Sequence, residues 1–240
     1  MNVKIAFISD IHGNAVALDA VLKDIKEKSI EAVYVLGDIC YRGPEPKRSL
    51  QLVQSLQTKV IKGNADEWVV RGVRKGEVPD KALELMNLER DWTAAQLDAE
   101  DMAYLQSLPE QLTITEKGIT IHAFHATPVS LFDVVLPGEP DEGLVEKLIS
   151  HQNADILIYA HIHKPYIRYI KGKVIMNIGS VGLPFDGLRK ASYGIVEIVE
   201  GRVQTSIVRV ETDVEKVVSQ FKAADYPNLH IIEVVQNASL

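Results

Sequence analysis

A single cysteine, Cys40, leaves no partner for an intramolecular disulfide and no set of thiolates for a zinc cage, a composition that fits a reducing compartment. There is no basic excess either. The formal net charge of −7 argues against the electrostatic footprint that stable nucleic-acid binding needs. The apolar run at the start of the chain ends within eight residues at Ser9-Asp10, too soon for a signal peptide or a membrane span. The cytoplasm is therefore the expected location, with no membrane association. Internal repeats and low-complexity stretches are missing as well. With 46% hydrophobic residues over 240 positions, the chain is expected to form one α/β domain over 1–240 with a sizeable core and an insertion.

Short apolar runs alternate with helical periodicity in the first third. Residues 3–8 predict a buried strand ending in polar residues, and Leu18, Val21, Leu22 and Ile25 predict an amphipathic helix over about 14–28. Residues 32–36 repeat the pattern and end at Gly37-Asp38. Leu50, Val53 and Leu56 mark a second helix, and Val60-Ile61 forms a third apolar run before Gly63-Asn64. Alternation of this kind implies parallel strands whose carboxyl ends gather ligands. From about 65 to 109 the pattern changes to leucine, methionine and tryptophan among charges, which predicts a helical insertion. It is placed either to lean over a site as a cap or simply to pack the sheet's flank. Residues 111–115 and 119–122 predict a hairpin about Lys117-Gly118. Further strands are expected at 154–159, 174–178, 193–199 and 203–210, the last two joined at Glu200-Gly201, before a closing helix over 214–221.

Five patches stand just after apolar runs: Asp10-Ile11-His12, Gly37-Asp38, Gly63-Asn64, His125 and His161-Ile162-His163. Each has an ordinary reading. Asp10 or Asn14 could cap the first helix, Asp38 and Asn64 could make turns, and isolated histidines are commonly hydrogen-bonded core residues. Together they supply carboxylate, amide oxygen and imidazole, the ligand types of two hard or borderline divalent ions. Asp10 and His12 alternate, so an extended segment would place both on one face. Asp38 is the natural bridge between ions held about 3.5–4 Å apart. His161 and His163 repeat the alternation, with one imidazole available to each ion.

In order and spacing these residues resemble the calcineurin-like metallophosphoesterase superfamily, whose motifs run Asp-x-His, Gly-Asp, Gly-Asn-His-Asp/Glu, His and Gly-His-x-His. Asn177 to Pro184 is similar to a loop of the family's compact bacterial branch, which includes phosphodiesterases and diadenosine polyphosphate hydrolases. The resemblance implies two facing mixed β-sheets flanked by helices, a four-layer αββα sandwich. It implies that Asp10, His12, Asp38 and His163 hold one ion and that Asp38, Asn64, His125 and His161 hold the other. Mn or Fe ions suit the mixed ligands best, with Zn or Ni possible.

Several positions depart from the family pattern or carry two readings. Ala65 replaces the histidine that contacts the scissile phosphate and is assigned to the leaving group in many members. Asp66 either orients a neighbour or, the reading preferred from its position, is a solvent-facing carboxylate at a helix start. Ala126 and Ala160 replace glycines, and His125 fits the ligand position better than His122. Arg42 follows Gly37-Asp38 as in a phosphate-binding Gly-Asp-x-x-Asp-Arg-Gly motif, and is either a phosphate ligand or a solvated turn residue. Cys40 reads as a small buried side chain. Gly179 to Gly182 shape a site rim or make a turn. Arg71, Arg74 and Lys75 face solvent or meet a polyphosphate, and His151 and His230 look ordinary. The expected activity is a dinuclear metal-dependent phosphoesterase using metal-activated water, with Asp38, Asn64 and Arg42 central to catalysis and Asn64 and Arg42 touching substrate. Phosphodiesters, diadenosine polyphosphates or nucleoside triphosphates are the expected substrates, because good leaving groups need little protonation. The alternatives are a phosphoprotein or small-molecule monoesterase and, further off, a non-catalytic binding module such as the retromer subunit of this fold. The oligomeric state is left open.

Overall fold

The computed structural model describes residues 3–239. Two mixed sheets face each other. The first has the order β2-β1-β8-β9, formed by β1 (Val3–Ile8), β2 (Ala32–Val35), β8 (Lys190–Val199) and β9 (Arg202–Glu211). The second has the order β3-β4-β5-β7-β6, formed by β3 (Gln111–Glu116), β4 (Ile119–Phe124), β5 (Ile156–Tyr159), β6 (Tyr166–Ile170) and β7 (Lys173–Asn177). β1 and β2 run parallel, as do β4, β5 and β7, while β8, β9, β3 and β6 add antiparallel partners.

The period-2 side-chain alternation of the strands builds the layers. Ile5 and Phe7 point between the sheets with Ile121, Ile156, Ile158, Met176 and Val196, whereas Ala6 and Ile8 face a helical layer. That layer holds α1 (Ala15–Glu27), α2 (Pro46–Ser55), α3 (Asn64–Arg71), α4 (Asp80–Ala94) and α5 (Ala99–Ser107). The outer face of the second sheet, with Phe124, Leu157, Tyr159 and Ile175, is covered by Leu144, Leu148 and Ile149, from α6 (Asp141–Leu144) and the π-helical turn that continues it. α7 (Val214–Ala223) and α8 (His230–Asn237) make a separate cluster in which Val217, Phe221, Ile231 and Val235 meet Val16 and Leu183. The expected α/β sandwich of two mixed sheets is therefore the observed one. Among the described residues no helix is long and apolar enough to cross a membrane.

Differences from the sequence reading are local. The third apolar run is not a strand: only Val60 pairs, through an isolated parallel bridge to Val35, because Lys59 to Lys62 lies at the sheet's edge. Residues 65–109, expected to be helical, hold α3, which starts at Asn64, with α4 and α5. Strand β6 and helices α6 and α8 lacked a clear signal, being short. Asn14 caps α1, its side chain accepting the Ala17 N–H at 3.0 Å, so Asp10 is free for other work.

Candidate metal centre

Every patch leaves the carboxyl end of a parallel strand or, for Asn64, the loop bridged to one. Asp10 follows β1, Asp38 follows β2, His125 follows β4, and His161 and His163 follow β5. The loops are stitched by backbone hydrogen bonds, Asp10 N to Gly37 O at 3.1 Å, His12 N to Asp38 O at 2.9 Å and Ala160 N to His125 O at 2.9 Å. Gly37 (φ +89°) lies against Gly63 so closely that a Cβ would overlap the Gly63 backbone, and this contact brings Asp38 and Asn64 together.

The backbone at the ligands is not extended, contrary to the alternation argument. Asp10, His12, Asp38, His161 and His163 all have positive φ, between 49° and 67°, and Arg42 has φ 68°. Such conformations cost non-glycine residues on the order of 1 kcal/mol each and persist where packing over-determines them, often at functional sites.

The seven side chains converge nonetheless. His12 and His163 approach Nε2 to Nε2 at 3.1 Å. Each ring's Nδ1 meets a backbone carbonyl, that of Tyr41 for His12 and that of Leu183 for His163, so both Nδ1–H groups donate and both Nε2 lone pairs face one another. Asp10 Oδ1 lies 3.4 Å from His163 Nε2 and 3.9 Å from His12 Nε2, buried without a hydrogen-bond partner among the described residues. On the other side, His125 donates Nδ1–H to Leu36 O at 2.8 Å and points Nε2 at Asn64 Oδ1, 2.9 Å away. His161 Nδ1 is 2.8 Å from the same oxygen. Asp38 Oδ2 lies 3.6 Å from His12 Nε2 and 3.4 Å from His125 Nε2, between the two groups, while its Oδ1 accepts the Ala65 N–H at 2.8 Å.

Burial and the neighbouring charges set the electrostatics together. Burial, reinforced by the neighbouring imidazole, pushes His12 and His161 down to about 4. Burial opposes protonation of His125 too, but the Asp38 and Asp10 carboxylates outweigh it and raise that imidazole to about 9. Asp38 is held below the ordinary carboxylate range, burial being overcome by His125, His12 and His161. Facing lone pairs, an orphaned buried carboxylate oxygen and a shared amide oxygen call for cations. Asp10, His12, Asp38 and His163 bring ligand atoms within 4.8 Å of one another. The donor set fits divalent metal ions.

Residues around the ligands change some expectations. Asp66 is fully buried, not solvent-facing: it accepts from Asp38 N, Ile39 N and Gly63 N at 2.8–2.9 Å, clamping the loop after β2 to the start of α3. Burial and Asp38 raise it to about 7, although those three N–H groups oppose the shift. Cys40 is fully buried and its thiol is pushed up by burial, in keeping with a packing role. His122 stands apart, bonded to Gln111. Arg71 is paired with Glu67 and Glu77 and so does not offer a free cation. The Asn177–Pro184 loop packs on the first patch through Val181 N to Ser9 O and Gly182 N to Asp10 O, and presents the Leu183 carbonyl to His163.

A cavity of about 160 Å³ opens over the ligands, walled by Arg42, Ala65, Trp68, Met86 and Phe185. Phe185, with no advance signal beyond its place after Pro184, stacks on His163 with ring centroids 4.2 Å apart. Arg42 Nε is 3.5 Å from Glu89 Oε2 on α4. Glu89 is fully buried and also accepts from Asn228 at 2.9 Å and Tyr226 at 3.3 Å. In sequence, Glu89 looks like any exposed helix charge.

Two facing mixed sheets with an Asp/His cluster where their carboxyl ends meet define a metallophosphoesterase. The chain belongs to the calcineurin-like phosphoesterase superfamily, whose domain model matches residues 3–201. It is 31% identical over 229 residues to an uncharacterized protein of Methanocaldococcus jannaschii, covering 88% of this chain and 89% of that one. It is 26% identical over 195 residues to the phosphodiesterase YfcE of Escherichia coli, covering 81% and 87%. The crystal structure of a metallophosphoesterase from Sphaerobacter thermophilus superposes with a TM-score of 0.79 at 25% identity, covering 98% and 99%.

Proposed function

We propose that this chain is a dinuclear phosphoesterase that cleaves phosphodiesters or nucleotide polyphosphates. The observation that carries the reading is Asp38 Oδ2, which stands between His12 Nε2 and His125 Nε2 at 3.6 and 3.4 Å and so is available to both ligand groups. Asp10, His12 and His163 complete one group, and Asn64, His125 and His161 the other. Two ions, with Mn or Fe preferred by the mixed nitrogen and oxygen ligands, would neutralise charge on the transferring phosphoryl group and activate water. The chain's own residues position the substrate: Arg42 offers a guanidinium to phosphate oxygens at the cavity wall, and α3 and α4, as parts of a cap, close the site through Ala65, Trp68 and Met86.

The cavity wall also defines what the site does without. Ala65 cannot donate a proton, and Tyr41, whose hydroxyl donates to Met86 O, is held far above its ordinary range by burial. With no general acid of suitable pKa among these groups, leaving groups that depart as stable anions are favoured, namely aryl oxides and phosphates. The test is hydrolysis of bis(p-nitrophenyl) phosphate against p-nitrophenyl phosphate by Mn²⁺-loaded protein. The diester is expected to be faster, and Asp38→Asn to lower its kcat by at least about 10²-fold. Faster monoester cleavage would overturn the preference, and an active Asp38→Asn variant would overturn the shared-carboxylate mechanism.

A further inference from the structure

Beside the cavity over the ligands lies a second one, of about 180 Å³, and the two share the same pair of wall residues, Arg42 and Phe185. Its remaining walls are Asn228, His230, Ile231 and Val234. All four lie beyond residue 201, outside the part of the chain that matches the family model, and three of them belong to α8. The second cavity is thus built by a C-terminal segment beyond the family model against two loops of the family core, the one after β2 that carries Arg42 and the one after β7 that carries Phe185.

The chemistry of the walls is that of an aromatic-ring site. Phe185 has one ring face occupied by the His163 imidazole at 4.2 Å and lines both cavities. Ile231 and Val234 supply apolar walls, being only 2% and 5% exposed. The polar groups stand at fixed places. Asn228 is held by its Nδ2 on Glu89 and by its Oδ1 on the His230 N–H, and the His230 side chain is exposed, paired with Glu233. Arg42 sits at the junction, anchored at Nε by the buried Glu89 carboxylate, which faces it at 3.5 Å. A ligand that placed a phosphate over Asp38 and Asn64 and passed Arg42 would meet Phe185 and the α8 side chains next. Apolar walls with a few fixed polar groups are the usual construction of a small-molecule site.

We infer that this second cavity is a subsite for a planar aromatic group attached to the reacting phosphate, in particular the base of a nucleotide, with Phe185, Ile231 and Val234 taking the ring and Arg42 the phosphate between. The inference deepens the phosphoesterase reading and rests on it for the position of the phosphate. It makes α8 the element that sets which ester is accepted. His230, an ordinary residue by sequence, becomes a rim group of the subsite.

The experiment compares equilibrium binding of adenosine 5′-monophosphate and ribose 5-phosphate to Mn²⁺-loaded full-length protein, two ligands with the same phosphate and sugar and only one with a base. The wild type is expected to bind the first at least tenfold more tightly. Ile231→Trp and Val234→Phe, which fill the cavity from two positions, should each collapse that ratio towards one, with thermal unfolding run on both to show that α8 stays folded. Equal affinities in the wild type, or a ratio that survives in a folded filled variant, would overturn the subsite. Hydrolysis of bis(p-nitrophenyl) phosphate, measured in parallel, keeps the two readings apart. A base preference without hydrolysis removes the phosphoesterase reading and keeps an aromatic pocket, whereas hydrolysis without a base preference removes the subsite alone.

Discussion

At the scale of single residues, Arg42 shows how a structural and a functional role can be separated. Its guanidinium is the cation facing the fully buried Glu89, whose other partners, Asn228 and Tyr226, are neutral donors. Removing the cation leaves a buried carboxylate compensated only by those two bonds. Because the Arg42 side chain is 27% exposed, water softens that penalty, and Arg42→Ala is expected to cost roughly 1–3 kcal/mol in urea unfolding. Adding Glu89→Gln removes the unpaired charge while leaving an amide oxygen for Asn228 and Tyr226. The double variant should therefore regain most of the stability and none of the lost hydrolysis. A double variant no more stable than Arg42→Ala would show that the unpaired carboxylate is not the source of the cost. The seven proposed ligands could be picked out from residue type and position after apolar runs. Glu89 could not, since its burial depends on Tyr226 and Asn228 arriving from the far end of the chain, and no local pattern encodes that.

At the scale of elements, the site depends on loops being held edge to edge, and Asp66 joins two of them, the loop after β2 and the start of α3. Its two oxygens accept N–H groups of Asp38 and Ile39 from the loop after β2 and of Gly63 at the start of α3, so one carboxylate fixes both Asp38, the proposed shared ligand, and the turn that carries Asn64. Asp66→Ala would strand three buried donors. The expected loss is about 3 kcal/mol of stability, at roughly 1 kcal/mol for each bond, together with a 10- to 100-fold weaker metal affinity by calorimetric titration. Unchanged metal affinity in a folded variant would mean that the loops keep their positions without it. Sequence periodicity anticipated β1, α1, β2, the β3–β4 and β8–β9 hairpins and α7, all with patterns of their own length. It gave Val60 a strand where the chain makes one bridge, and of the two readings open to Asp66 it preferred the solvated one. Neither a single bridge nor a capping carboxylate folded inward leaves a repeating signature in the residues around it.

At the scale of the whole molecule, the proposed ligands come from both halves of the sandwich. Asp10, His12, Asp38 and Asn64 leave the side of the first sheet, and His125, His161 and His163 leave the second. An ion bound among them would tie the two sheets together across the Ile5, Phe7, Ile158 and Met176 core, and the unfolded chain would offer no comparable site. Metal binding should therefore appear as stability. At a free ion concentration one hundred times the dissociation constant, a single site contributes about 2.7 kcal/mol, or about 5–10 °C in Tm for a chain of this size. Chelator-treated protein titrated with Mn²⁺ should rise by at least that amount, and calorimetry should count two ions. Asp38 stands between the ligand groups, so Asp38→Asn should reduce the thermal shift more than Asn64→Ala, which removes an oxygen belonging to one group. A stoichiometry of one in the wild type, or a larger loss from Asn64→Ala than from Asp38→Asn, would mean that the two ligand groups do not share their ions through Asp38.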